Sequence, residues 1–370
     1  MGISSRRIGS LANMDGFANS RKPLAIESAF TERGHDVTIV DATYMSRAST
    51  SGVLRVLPSP EPRKLLLYIA GAASRILERL PRRIAVPFNY YLYLLQMHLR
   101  SQLNIRKARG FDVIICETQI DSAIMLKDLT GTKKIYDCAT PFADELYYGG
   151  KLTERGYRKF KSFEISVFEA CDHLSFHWHS YASYVRKYYC DVPSVFTFDF
   201  MTEPKGQLVH FSPEPRIAYI GSLGGYWIDL QLLSELTKIY PHIDVYGLPK
   251  PPKKYGLNYK GYATLEVLRS YQFGLITSSK DQLRREGFSA KHLDYLAFGL
   301  PVLVPEWRVS ASELRGTITY NVDNFMEQIK TYSKEDTWNK MSKEALEQSG
   351  QYSAENVMKD LIRIVESNNY

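Results

Sequence analysis

The chain has 370 residues, 44% of them hydrophobic and 13% aromatic, and a formal net charge of +7. That length exceeds one ordinary core, so two domains of roughly 150–200 residues are expected, and the apolar content excludes a disordered chain. The charge is concentrated in Pro62–Arg109, which carries ten basic residues against Glu78 alone; no nucleic-acid reading motif accompanies it, so a nucleic-acid partner is not expected.

In chain order, Arg7–Asn13 reads as a strand, Pro23–Gly34 as a helix with Pro in its first turn and Gly past its end, and Asp36–Asp41 as a second strand. Phe111–Glu117 is a strand followed by a helix to about Leu129, and Lys133–Ala139 is another strand. A helix covers about Thr153–Ala170, His173–Trp178 is a strand, and a helix runs on to about Tyr189. A polar, Pro-rich link, Met201–Pro215, precedes a second alternating set. Its strands are Arg216–Leu223, Ile243–Leu248, Phe273–Ser278 and Pro301–Pro305; its helices are Asp229–Tyr240, Thr264–Tyr271 and Ala290–Phe298. After a polar gap, a last helix covers about Ala354–Ser367. Alternating β and α with continuous apolar strands signals buried parallel sheets. The expected fold class is α/β with two Rossmann-like domains, 1–205 and 206–352, and a helix, 353–370, crossing back to the first. Ligands of such sheets sit at the carboxyl ends of the strands, here expected in a central cleft.

The four cysteines, Cys116, Cys138, Cys171 and Cys190, lack metal-ligand spacing and read as buried free thiols of a reducing compartment. The start MGISSRRIGSLANM has no apolar signal region, and Arg6 stands where myristoylation wants Ser or Thr. A cytoplasmic location is expected. His173, His177 and His179 share a strand face and suit zinc, an ordinary packed strand end or, as position favours, a strand end lining a cleft.

The segment EGFSAKHLDYLAFGLPVLVPEW, Glu286–Trp307, carries the strongest chemical signal. Lys291 and Asp294 are three apart on one helix, and a helix start attracts phosphate through free N–H groups and the dipole. The segment resembles the donor-binding motif of GT-B glycosyltransferases, with Glu286 and Asp294 in place of the usual Glu-x7-Glu pair. The resemblance extends to the membrane-associated glucuronosyltransferase family of xanthan-type exopolysaccharide assembly, through FDVIICETQIDSAIMLKDLTGTKKIYDCA, RIAYIGSLGGYWIDLQLLSELTKIYPHIDVYG and YKGYATLEVLRSYQFGLITS.

The resemblance implies a bacterial enzyme moving a sugar from a UDP-sugar, with UDP-glucuronate as a specific donor, to a polyprenyl-linked oligosaccharide. It implies no cofactor and no metal ion, the nucleotide-sugar being a substrate. Donor-binding positions carried over are Gly221, Ser222 and Leu223 in a closing loop, Gly247 and Tyr262 near the base, Ser289 and Lys291 at the diphosphate, and Asp294 at the ribose. Candidate catalytic acids are Asp15, Asp144 and Glu286; where relatives carry an Asp after YDC, this chain has Thr140. Arg21, Lys22, Glu117 and His177 are candidates for the acceptor. Two alternatives stay open: another enzyme on the same scaffold, either a sugar-nucleotide epimerase or a GDP-mannose-type retaining transferase, and a non-catalytic membrane adaptor of the same fold.

The basic segment is too short and too polar to span a bilayer, because Ile84–Leu99 holds Pro87, Asn89, Gln96 and His98. A basic amphipathic stretch rich in Tyr and Leu suits the interface of an anionic membrane. A peripheral position on the inner face of the cell membrane is therefore expected.

Overall fold

The structure, a computed structural model, describes residues 5–12, 17–41, 66, 69–70, 72–73, 76–77, 80–118, 123–192, 194–206, 209–287 and 289–367. The chain divides into two compact units. The first is Met1–Phe198 with Met358–Tyr370, and the second is Asp199–Val357.

The first unit contains β1 (Arg7–Ala12), α1 (Phe17–Thr31), β2 (Asp36–Asp41), α2 (Arg82–Ala108), β3 (Val113–Thr118) and β4 (Lys133–Cys138). These are followed by α3 (Phe142–Tyr148), α4 (Glu154–Phe168), β5 (His173–Phe176), α5 (His179–Tyr188) and β6 (Val195–Thr197). The strands form one parallel sheet in the order β2-β1-β3-β4-β5-β6. Ile8, Val113, Ile114, Ile115, Ile135 and Leu174 are fully buried in it, which is why the strands read as continuous apolar runs.

The second unit contains β7 (Ile217–Ile220), α6 (Leu230–Ile239), β8 (Ile243–Tyr246), β9 (Tyr259–Gly261), β10 (Phe273–Leu275), α7 (Gln282–Glu286) and α8 (Ala290–Ala297). Then come β11 (Val302–Pro305), β12 (Thr317–Tyr320), α9 (Phe325–Tyr332), α10 (Glu335–Gly350) and α11 (Ala354–Glu366). Its parallel sheet has the order β12-β11-β10-β7-β8-β9. From Met358 onward α11 belongs to the first unit. There Arg6 donates to the carbonyls of Val365 and Ser367, and Lys133 to those of Ile364 and Ser367. These buried cations satisfy the last carbonyls of the helix and complement its dipole.

Five expectations need correction. The helix expected from Pro23 begins at Phe17, with Pro23 inside it. The helices expected after β3 and over Thr264–Tyr271 are 3-10 turns, Ile124–Asp128 and Leu265–Ser270. The polar gap before the last helix holds β12, α9 and α10. The supposed link is fastened to the second unit: the Thr202 N–H donates to the Tyr352 carbonyl at 2.9 Å and the Lys205 N–H to the Ala297 carbonyl at 2.7 Å. Met201 and Val209 are buried along the same stretch.

Candidate functional site

In the second unit the chain leaves β7 toward β8 on one side and β10 toward β11 on the other, so the strand order reverses between β7 and β10. The crevice outside the carboxyl ends at such a point is where open α/β sheets bind ligands. β7 and β10 pair only at Phe273–Ile217 and Gly274–Ala218. Beyond that the buried Tyr295 hydroxyl of α8 bridges the strands, accepting from the Ile220 N–H at 2.9 Å and donating to the Leu275 carbonyl at 3.2 Å. A side chain thus replaces the ladder bond that diverging strands cannot make.

This wedge places the first turn of α8 against the end of β7. Lys291 donates to the Tyr219 hydroxyl at 2.8 Å and lies 4.2 Å from the centre of that ring. A Cβ on Gly221 would come within 2.8 Å of the Lys291 Nζ. Burial lowers the Lys291 pKa to about 7; Arg308 pushes the same way and Asp294 opposes it. Arg308 is itself buried, donating to the Gly287 carbonyl at 2.6 Å and the Ser278 hydroxyl at 3.3 Å. Two cations therefore converge at the start of one helix, the electrostatic setting for a diphosphate. Ser289 is the N-cap of α8, but its side chain makes no capping hydrogen bond.

The loop after β7 is held from below. The Gly221 N–H donates to the Tyr246 carbonyl at 3.1 Å and the Leu223 N–H to the Leu248 carbonyl at 2.9 Å. Gly221 and Leu223 thus anchor the loop, and these two amides point at main chain and not at a ligand. Ser222 is exposed, and its carbonyl accepts from the Tyr219 hydroxyl at 3.2 Å. Gly247 has φ 142°, and a Cβ there would lie 1.7 Å from the Gly221 carbonyl oxygen. Only glycine allows this contact between the ends of β7 and β8. Tyr262, just past β9, is 73% exposed.

The first unit carries a second polar group where its own strand order reverses, between β1 and β3. Ser10 of β1 donates to Glu117 of β3 at 2.5 Å across that point. Lys22 of α1 donates to Asp137 of β4 at 2.9 Å and to the Phe198 carbonyl, and it lies over the Phe198 ring. Ser175 donates to the other Asp137 oxygen at 2.8 Å, and the His177 Nε2 is 3.5 Å from Asp137. Burial pushes Glu117 up to about 8, against the Ser10 hydrogen bond, with Asp137 adding to the rise. Burial would raise Asp137 as well, but Lys22 and His177 outweigh it and hold it at about 2. Burial, then Lys22, lowers the His177 pKa, and Asp137 opposes them. Three acceptor candidates, Lys22, Glu117 and His177, are thus brought together around Asp137, an acid near Thr140 that was not among the chosen catalytic candidates. All four are buried, and the Lys22 charge is engaged inward.

Asp144 sits elsewhere, fully buried among α3, α4 and α5. Its two oxygens accept from Tyr157 at 2.6 Å and Tyr184 at 2.8 Å. This is a structural acceptor and does not suit a proton-abstracting base. Glu286 ends α7, partly exposed, and accepts from Gln282 at 3.2 Å. Asp15 and the Arg21 side chain lie outside the described residues. His173 bonds Ser194 at 2.7 Å, and among the described residues no group of three potential metal ligands is present. Arg308, Tyr219 and Tyr295 were missed: one is a lone basic residue after a strand, and the others look like ordinary strand and helix tyrosines.

No family model and no curated protein sequence matches the chain. Its fold does match solved structures. Sucrose-phosphate synthase from Thermosynechococcus elongatus aligns with a TM-score of 0.66 at 12% identity, over 97% of this chain and 99% of that one. The UDP-forming alpha,alpha-trehalose-phosphate synthase from Burkholderia vietnamiensis aligns with a TM-score of 0.60 at 11% identity, over 97% and 96%. A TarM variant from S. aureus, solved with fondaparinux, alpha-GlcNAc-glycerol and UDP, aligns with a TM-score of 0.56 at 14% identity. That match covers 72% of this chain and 59% of TarM, so the chain spans about three fifths of TarM's length. The chain has the α/β fold of the GT-B glycosyltransferases, with two parallel six-stranded sheets.

Proposed function

We propose that the protein is a glycosyltransferase whose second unit binds a UDP-sugar donor and whose first unit binds the acceptor. The observation that carries this reading is Lys291, held by Tyr219 beside Gly221 at the sheet reversal, with Arg308 behind it. In the reaction the acceptor oxygen bonds the anomeric carbon as the bond from that carbon to the phosphate oxygen breaks. UDP leaves with the electron pair, and the acceptor proton passes to a base. Lys291, Ser289 and the α8 N-terminus stabilise the departing diphosphate by preorganised electrostatics. Asp294, one turn on, accepts from the ribose hydroxyls. Gly247 and Tyr262 flank the uracil. Asp15 is the base candidate that keeps its place; Asp144 is set aside. No metal ion is invoked.

The finer reading is a polyprenyl-linked oligosaccharide acceptor, in exopolysaccharide or cell-surface glycan synthesis, met at the inner face of the membrane. It is supported by the resemblance of four segments to the xanthan-type glucuronosyltransferase and by the basic stretch Pro62–Arg109. The test is a thermal-shift panel of UDP, GDP, ADP and CMP, with EDTA present. A ligand at a hundred times its dissociation constant adds about 2.7 kcal/mol. A shift with UDP alone is expected. A shift with GDP alone would favour a mannose-type donor, and none at all would favour the non-catalytic reading.

Retention of anomeric configuration is a second reading. It is supported by the Glu286-x7-Asp294 spacing and by the alpha-configured sugars named for TarM and the trehalose-phosphate synthase. The anomeric configuration of the product separates it from inversion.

A further inference from the structure

The solvent face of α2 is apolar where a surface helix is ordinarily polar. Ile84, Phe88, Tyr91 and Leu95 recur at spacings of four, three and four, which is one helical row. They are 44%, 59%, 63% and 49% exposed. The opposite face is the buried one: Ala85, Asn89, Met97, Ser101, Leu103 and Ala108. There the Asn89 amide donates to the Lys151 carbonyl at 2.9 Å, fixing which side points inward.

The described residues just before α2 are apolar and exposed as well. Leu66, Ile69, Ile76 and Leu80 are all exposed, and Gln96 of α2 donates to the Ala70 carbonyl at 3.2 Å, tying the two stretches together. Eight of the fourteen large apolar side chains exposed among the described residues therefore fall between Leu66 and Leu95. Scattered exposed apolar groups are normal, whereas a concentration of this kind marks an interaction surface.

Charge identifies the partner. The same solvent row of α2 continues through His98 to Arg106, with Arg109 just beyond, and all three are exposed. Arg83 is exposed at the other end, and α2 contains no acidic residue. An apolar row bounded by cations fits a surface that is apolar below and anionic above. No described helix is long and apolar enough to cross a membrane. We infer that the exposed row Ile84–Phe88–Tyr91–Leu95, with Arg106 and Arg109, is a docking face that lies in the interface of an anionic lipid bilayer. This deepens the membrane reading above and rests on it, but it does not depend on the donor.

The test is flotation of the full chain with vesicles of phosphatidylcholine mixed with phosphatidylglycerol, and of phosphatidylcholine alone. Binding to the mixed vesicles and much weaker binding to the neutral ones are expected. The triple variant Ile84→Ser, Phe88→Ser, Leu95→Ser should lose at least roughly tenfold in partitioning. The pair Arg106→Gln, Arg109→Gln should lose roughly tenfold or more at low salt and less at high salt. Both should keep the wild-type thermal response to UDP. A wild-type chain that stays in solution with the anionic vesicles overturns the inference. So does a wild-type dimer that the triple variant converts to monomer, since the face then covers a second copy. Vesicle binding that persists in a protein showing no shift with UDP would uphold the docking face and count against the donor reading alone.

Discussion

Lys291 is held 2.8 Å from the Tyr219 hydroxyl and 4.2 Å from the centre of the same ring, so one tyrosine fixes both its reach and its direction. The ammonium is set in place before any ligand arrives, which is the arrangement a charge-stabilising group needs. Lys291→Ala should weaken UDP binding by about 1.5–3 kcal/mol, the scale of a lost charged hydrogen bond. Titration calorimetry with UDP reads this directly, and unchanged affinity would leave Lys291 with a packing role only.

The depressed pKa of Lys291, about 7, gives that binding a pH dependence. Below this value the free site already carries the cation, so Lys291 adds no pH dependence there beyond that of the UDP phosphate. Above it the site must take up a proton to bind, and affinity should fall by up to about tenfold per pH unit. Lys291→Arg keeps its charge throughout, so its profile should be flat. A wild-type profile as flat as the arginine variant's would contradict the role given to burial and Arg308.

Glu117 has the opposite sense. Its folded pKa of about 8 lies above the ordinary carboxylate value, so the folded chain holds a proton that the unfolded chain releases. Stability should therefore fall as pH rises from about 4.5 to 8, through this group, by an amount on the order of a few kcal/mol. Glu117→Gln mimics the protonated acid and should flatten that part of the profile. Urea denaturation across the same range measures it; an equally steep decline in the variant would place the cause elsewhere, Glu164 being the other carboxyl that burial raises to about 8.

Asp144→Asn should lower stability by about 1–3 kcal/mol, because the amide can accept for only one of the two tyrosines now bonded to the carboxylate. Turnover per folded molecule should stay close to wild type. A loss of turnover by orders of magnitude with unchanged stability would restore Asp144 as a base.

Gly247→Ala should be among the costliest single changes in the second unit. Its Cβ would overlap the Gly221 carbonyl at 1.7 Å, and the contact is backbone, so nothing swings aside. A cost of at least about 2 kcal/mol is expected from the overlap and the positive φ together. A denaturation midpoint like that of wild type would mean the loop after β7 shifts freely.

Much of this was legible in the residues. The alternation of apolar strands and helices gave both sheets, and Lys291 stood out because it opens a core helix with Asp294 three residues on. What stayed hidden shares a physical reason. The buried row of α10 is Trp338, Ser342, Ala345 and Ser349, at spacings of four, three and four. The period is right, but small and hydroxyl side chains make a faint hydropathy signal. Asp137 could not be told from the neighbouring acids, because burial of an acid is invisible until Lys22 and His177, 115 and 40 positions away, are folded onto it. Arg308 escaped for the same reason: its partners, Ser278 and the Gly287 carbonyl, come from other segments. Even the 3-10 turn Leu265–Ser270 reads as a helix in composition, since turn geometry is decided by packing.

The stretch from Asp199 to Pro215, written in the residues of a tether, also has a bearing on how the protein would be digested. Protease cleavage needs a run of main chain that can peel away into an active site. Here the Thr202 and Lys205 amides are bonded and Met201 and Val209 are buried. Limited digestion should therefore spare Met201 and Thr202, where the main chain is bonded and the side chains are buried, although the composition there is that of a linker.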